Sequence, residues 1–273
     1  MPKNPKNKKN ENNTIQSQKQ KKTLDILSII KIDIKYKNET QKKLSLSIKN
    51  NDVTICTGVA GTGKTFIAVS EAIKLLKSNL GYKKIVIIKS VTTLKSEEIG
   101  FLKGSLQEKM EPFIYSFIHN FEKIIGKQNT IMLRELEYIE TLPIAYLRGI
   151  NIDDSIILVD EIQNISHDNI KTILTRLGSN SKIILLGDIE QIDIKNKKES
   201  SISKLVNKIK KHPSNGVEII EFTKEDIVRH RLTGYFIDLF KEDIDKSNTG
   251  NKPNNIVDSN KKSIIQRFLT IFK

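Results

Sequence analysis

Apolar positions along this chain switch between two periods, one suited to extended strands and one to helices. Leu24, Ile26, Leu27, Ile29, Ile30, Ile32 and Ile34 mark a strand or a short packing segment over 24–37. From 38 to 50 the spacing turns helical, with Leu44 and Ile48 on one face. A strand is then expected at 53–57, a helix at 64–78, a strand at 84–89 and a helix-rich stretch over 105–139. An apolar run at 142–147 precedes a strong strand from Ser155 to Val159. Helices at 166–177, 201–211 and 233–241 alternate with strands at 182–187 and 217–222. Strands alternating with helices predict an α/β fold whose mostly parallel sheet is covered by helices on both faces. No internal repeat is present.

Composition divides the chain further. Residues 1–23 read as a disordered basic arm, 24–245 as one domain, 246–262 as an Asn/Lys/Ser-rich linker, and 263–273 as a short amphipathic end. The net charge of +14 over 273 residues suggests nucleic acid until it is located. Residues 1–22 hold seven lysines and one glutamate; residues 246–273 hold five lysines, Arg267 and Asp258. That leaves the body near +3, so the basicity belongs to the tails. The single cysteine, Cys56, rules out a disulfide framework and reads as a small buried apolar residue in a strand. No apolar run approaches the roughly 18 residues of a membrane span, so a cytoplasmic protein with no membrane partner is expected.

The chemistry begins at Gly58-Val59-Ala60-Gly61-Thr62-Gly63-Lys64-Thr65, the complete G-x-x-x-x-G-K-[ST] phosphate-binding loop. It lies between a strand-type run and a helix-type run opening at Phe66. Glycines let backbone N–H groups wrap a phosphate chain, and the helix start favours an anion. Lys64 would reach the β- and γ-phosphates of a nucleoside triphosphate, and the Thr65 hydroxyl would hold Mg²⁺. The loop residues and Phe66 are therefore the expected nucleotide contacts.

A second signature is the strand Ile156-Ile157-Leu158-Val159, which delivers Asp160 and Glu161 at its C-terminal edge. Asp160 suits Mg²⁺, an ion that takes few protein carboxylates; Glu161 suits the attacking water. Alone, such a pair could equally cap a helix. A third is Leu185 to Gln191, where Gln191, or failing that Asp188, would touch the γ-phosphate or its water. Upstream, Gln41 is either an adenine-reading amide or a solvated surface residue.

These residues bring the chain to a family. It resembles the PhoH-like ATPases, single-domain relatives of the superfamily-one helicase core, over about residues 38–242. The stretches that carry the resemblance are Gly58–Thr65, Gly100–Gly104 with Glu108-Lys109, Ala145–Gly149, Asp160–Asn164, Leu174–Gly178, Gly187-Asp188 with Gln191–Asp193, and Asp226–His230. Gln41 falls where such proteins carry an adenine-reading glutamine. Departures are Lys89-Ser90 for Arg-Pro, Ile162 for Ala and Arg231 for Pro. The resemblance implies a P-loop NTPase (RecA-like) fold and a ring-like homo-oligomer with nucleotide between subunits. Arg148, Arg176 and Arg229 fall in the matching stretches of an arginine-poor chain; Arg229 and Arg176 are the candidate phosphate sensors or fingers, against a structural carboxylate pairing for each.

Movement coupled to hydrolysis needs two lobes, and this chain has room for one, so motor activity would demand oligomerisation. The expected function is Mg²⁺-dependent ATP hydrolysis, with RNA or single-stranded DNA as candidate polymers. The competing reading is an ATP-switched nucleic-acid-binding or scaffold protein. No residues are left over for a nuclease domain. Gln266 to Phe272 has the Q-x-x-L-x-x-F spacing that resembles sliding-clamp-binding peptides, against an amphipathic helix packed on its own domain or a neighbour.

Overall fold

A computed structural model describes residues 26–89, 106–188, 201–229 and 232–235, with 106–110 given by backbone only. The tails, Gln191, most of the expected helix at 233–241 and the clamp-like segment lie outside the described residues. Six strands form one sheet: β1 (Val53–Gly58), β2 (Lys84–Lys89), β3 (Ile139–Pro143), β4 (Ser155–Asp160), β5 (Lys182–Gly187) and β6 (Val217–Phe222). Their order is β3-β2-β4-β5-β1-β6, and every pairing is parallel. The helices are α1 (Glu39–Asn50), α2 (Lys64–Lys77), α3 (Leu106–Ile125), α4 (Lys127–Glu135), α5 (His167–Leu174) and α6 (Ser201–Lys211).

The two-residue period of each strand sorts its side chains between two cores. Cys56, Ile85, Ile87, Ile156, Leu158, Ile184 and Leu186 face one side, where they meet Leu44 of α1, Ile67 and Ile73 of α2, Phe117 and Phe121 of α3, and Leu133 of α4. Ile55, Val86, Ile88, Ile157, Val159, Ile183 and Leu185 face the other, against Ile170 and Ile173 of α5 and Ile202 and Val206 of α6. All positions of β4 and β5 are buried, which is why their sequences are nearly unbroken apolar runs. Ile87 is fully buried in a central position. Ile87→Val should lower stability by about 1 kcal/mol, read as a lower urea midpoint with unchanged slope.

Two segments resolve more finely than their apolar pattern. The apolar run at 142–147 is not one segment: β3 ends at Pro143 and a 3₁₀ turn, Ile144–Leu147, follows. The alternation over 24–37 does not make a sheet strand. Residues 26–29 form a helical turn and 30–37 run extended outside the sheet, a strap over the first core. Ile30, Ile32, Ile34 and Tyr36 pack inward while residues 31, 33, 35 and 37 are exposed. Extended backbone produces that alternation with or without a ladder partner. Residues 232–235 form a helical turn that belongs to a second unit beginning after Arg229. Among the described residues, no helix is long and apolar enough to cross a membrane.

Candidate functional site

The first βα junction sets the site. β1 runs into the loop at Gly58, and α2 starts at Lys64 behind Gly63, an N-cap in the left-handed region (φ 88°) that offers no side-chain cap. No side chain caps the first-turn N–H groups of α2, an arrangement that favours an anion there. Two glycines are required by close approach. A Cβ on Gly58 would lie 2.2 Å from the Phe222 carbonyl oxygen, and one on Gly63 would lie 2.9 Å from Gln41 Nε2.

The loop is internally braced. Lys64 Nζ donates to the carbonyls of Gly58 (2.7 Å) and Val59 (2.8 Å), and Thr62 Oγ1 donates to Val59 O (3.1 Å). The Val228 N–H donates to Gly61 O (3.1 Å), tying the segment after β6 to the loop. Burial lowers the Lys64 pKa, opposed by nearby Cys56, Asp188, Asp160 and Glu161. Burial likewise pushes the Cys56 thiol up, as expected of a packed residue beneath the loop.

β5 lies between β1 and β4, so the end of β5 separates the loop from the acid pair. Asp160 is buried at the end of β4, and burial raises its pKa; Lys89, paired across the β2–β4 register, pulls the other way from 3.8 Å. Lys89, one of the departures from the family pattern, is thus the counter-ion of the expected metal ligand. Glu161 sits in the left-handed region (φ 54°), uncommon for a non-glycine residue and concentrated at functional sites.

Gln163 links the two strand ends. Its Nε2 donates to Glu161 Oε2 (2.5 Å), and its Oε1 accepts the Asp188 N–H (3.0 Å). Gln163 is buried, and its amide is spent on the Glu161 carboxylate and the Asp188 backbone. Sequence reasoning quoted it as part of a motif and gave it no role.

The loop and the acid pair open onto one cleft of about 480 Å³. Gln41, Ala60, Gly61, Gly63, Lys64, Thr65, Phe66, Asp160, Glu161, Asp188 and Arg229 line it. Gly58, Val59 and Thr62 lie behind this wall as the frame of the loop. The cleft also draws in Lys35 and Lys37 of the strap and Ser116, Asn120 and Lys123 of α3, none of them foreseen. Their nearness is long-range, and the sequence held no signal for it.

Gln41 is buried. Its Oε1 accepts the Lys37 N–H (2.8 Å) and its Nε2 donates to Thr62 O (2.9 Å), so the solvated-surface alternative is removed. The structure does not bring Arg176 to the cleft. Its Nη1 donates to Ile150 O (3.0 Å), and its own carbonyl accepts from Ile152 just before β4, at the N-terminal ends of the strands, away from the acid pair at the C-terminal end of β4. A shared sequence stretch did not place it near the loop.

Thr65 and Asp160 offer hard oxygen ligands in the same cleft, which fits Mg²⁺. No cluster of three or more His, Cys, Asp or Glu side chains suited to a metal occurs among the described residues. A cation here would share its coordination with phosphate oxygens and water.

The family described as PhoH-like protein matches residues 33–241. A PhoH-like protein of Bacillus subtilis (strain 168) is 35% identical over 207 residues, covering 76% of this chain and 64% of that protein. One from Synechocystis sp. is 33% identical over 220 residues, covering 81% and 66%. The chain thus spans about two thirds of the length of the curated relatives it matches. Among solved structures, a large terminase from a thermophilic bacteriophage aligns over 73% of this chain and 49% of that chain, with a TM-score of 0.42 and 11% identity.

Proposed function

This chain belongs to the PhoH-like protein family, and from that premise we propose that it is an Mg²⁺-dependent ATPase working as a homo-oligomer on RNA or single-stranded DNA. The observation that carries the reading is the convergence of Lys64, Asp160, Glu161 and Asp188 on one cleft, with β5 set between the loop and the acid pair.

Lys64 leaves the carbonyls of Gly58 and Val59 and takes the β- and γ-phosphate oxygens, while the α2 N–H groups cradle the chain. Thr65 and Asp160 would hold Mg²⁺, which would supply charge neutralisation on the phosphate oxygens. Glu161, oriented by Gln163, accepts a proton from water as its oxygen bonds to the γ-phosphorus and the bond to the bridging oxygen breaks. Arg229 at the rim meets the charge on the transferring group, and Asp188, or Gln191 further on, reports its departure. Arg176 would act only on a neighbouring subunit's nucleotide. On the family resemblance the proposal extends to a ring of subunits, and on the Q-x-x-L-x-x-F spacing to a clamp-binding end (263–273).

Gln41 reads the base. With one hydrogen bond spent on Lys37 and one on Thr62, its amide keeps one donor and one acceptor, the pair that adenine's N7 and N6 require. Gln41→Ala should weaken ATP about tenfold and level ATP with GTP, measured as equilibrium Kd for both nucleotides.

The main test is ATP turnover, single against steady-state, across a panel of RNA and single-stranded DNA, with mass measured in the same buffers. Repeated turnover stimulated by one polymer supports the proposal. Binding without turnover in every oligomeric state overturns it in favour of an ATP-switched scaffold.

A further inference from the structure

The strap is held to the phosphate-loop helix by more than apolar packing. Glu71 of α2 is fully buried. Its Oε1 accepts the Tyr36 hydroxyl (3.0 Å) and Lys74 Nζ (2.7 Å), while Lys49 Nζ stands 3.9 Å from Oε2. Tyr36 Oη also lies 2.9 Å from Ser45 Oγ of α1, and the Lys74 ammonium sits 5.5 Å from the Tyr36 ring centroid. Burial opposes the Lys74 charge, but the Glu71 and Tyr36 contacts outweigh it and raise its pKa. Further up the strap, Lys77 Nζ donates to Ile30 O.

Covering a core needs only Ile30, Ile32 and Ile34. A buried carboxylate adds what apolar contact lacks, which is direction. Extended chain can slide, and a one-residue slip would turn exposed residues 31, 33 and 35 inward. The Tyr36–Glu71 bond fixes that register one residue before Lys37, whose N–H meets Gln41 Oε1. With the Thr62 carbonyl on Nε2, this N–H decides which end of the Gln41 amide accepts and which donates. Adenine offers an acceptor and a donor on that edge, guanine two acceptors. A reversed or wandering amide would lose the distinction.

We propose that Tyr36 and Glu71 are positioning residues that set the preference for adenine over guanine nucleotides, acting through the Lys37 N–H on Gln41. The proposal rests on the reading of Gln41 given above.

The experiment measures equilibrium Kd for ATP and for GTP, kcat at saturating ATP, and urea unfolding of the full chain. Tyr36→Phe should weaken ATP about tenfold and GTP little, collapsing the ratio, with kcat held within about twofold. Glu71→Gln keeps an acceptor for the Tyr36 hydroxyl and should preserve the ratio; Glu71→Leu should lose it as Tyr36→Phe does. Should Glu71→Leu fail to fold, Tyr36→Phe decides. The proposal is overturned if the ratio holds in Tyr36→Phe, or if both affinities fall together. Gln41→Ala separates the levels: an unchanged ratio there sinks the base-reading role itself, whereas a collapse there beside a normal Tyr36→Phe sinks only the anchor.

Discussion

Lys64→Ala is expected to abolish measurable ATP turnover, a loss of about 10³-fold or more in kcat. The ammonium is set inside the loop, half-buried at the wall of the cleft and partly desolvated, which lowers its pKa. Charge interactions in such a setting are far stronger than at a surface. Affinity for ATP should fall as well, because ground-state phosphate contacts go with the transition-state ones. The fold should survive. Among the described residues, the Lys64 ammonium bonds to the carbonyls of Gly58 and Val59, and alanine is a good residue for the first turn of a helix. Circular dichroism and urea unfolding alongside the assay check this. A variant that hydrolyses ATP at the parental rate in a folded chain would remove the loop from the chemistry.

Glu161→Gln should separate binding from hydrolysis. The substitution is nearly isosteric, and its side-chain oxygen still accepts from Gln163 Nε2, so the strained backbone at φ 54° and the link to Asp188 persist. What goes is the basic oxygen. Turnover should drop about 10²- to 10⁴-fold, while Kd for ATP stays within about threefold of the parent. Equilibrium binding and single-turnover kinetics on the same preparation give both numbers. Equal losses in Kd and in rate would mean that Glu161 organises the loop rather than the water.

Much of this arrangement was legible because its signals are local. The phosphate loop and the Asp160-Glu161 pair are contiguous, and each sits at the end of an unmistakable apolar strand. Alternating strands and helices pointed to the parallel sheet. The strap's period was visible too, though period reports extended backbone and is blind to whether a ladder exists. β3 was missed because an edge strand with partly exposed middle positions leaves little apolar pattern. Lys35, Lys37, Asn120 and Lys123 meet across the cleft from distant segments, and the role of Gln163 depends on a contact between β4 and β5 ends that only the strand order creates. Arg176 shows the reverse error: membership in a family stretch says nothing of which end of a helix faces the nucleotide.

The interposed strand has one more consequence. Neighbouring strands lie about 4.8 Å apart, so the ends of β1 and β4 are separated by roughly 10 Å. The sheet is therefore a ruler. On the proposed reading, a diphosphate seated on the loop would stop short of Asp160 and Glu161, whereas a third phosphate would lie over the tip of β5 and join both sides. Length, rather than charge alone, would then distinguish substrate from product, and departure of the terminal group would cut the site into two halves that no longer share a ligand.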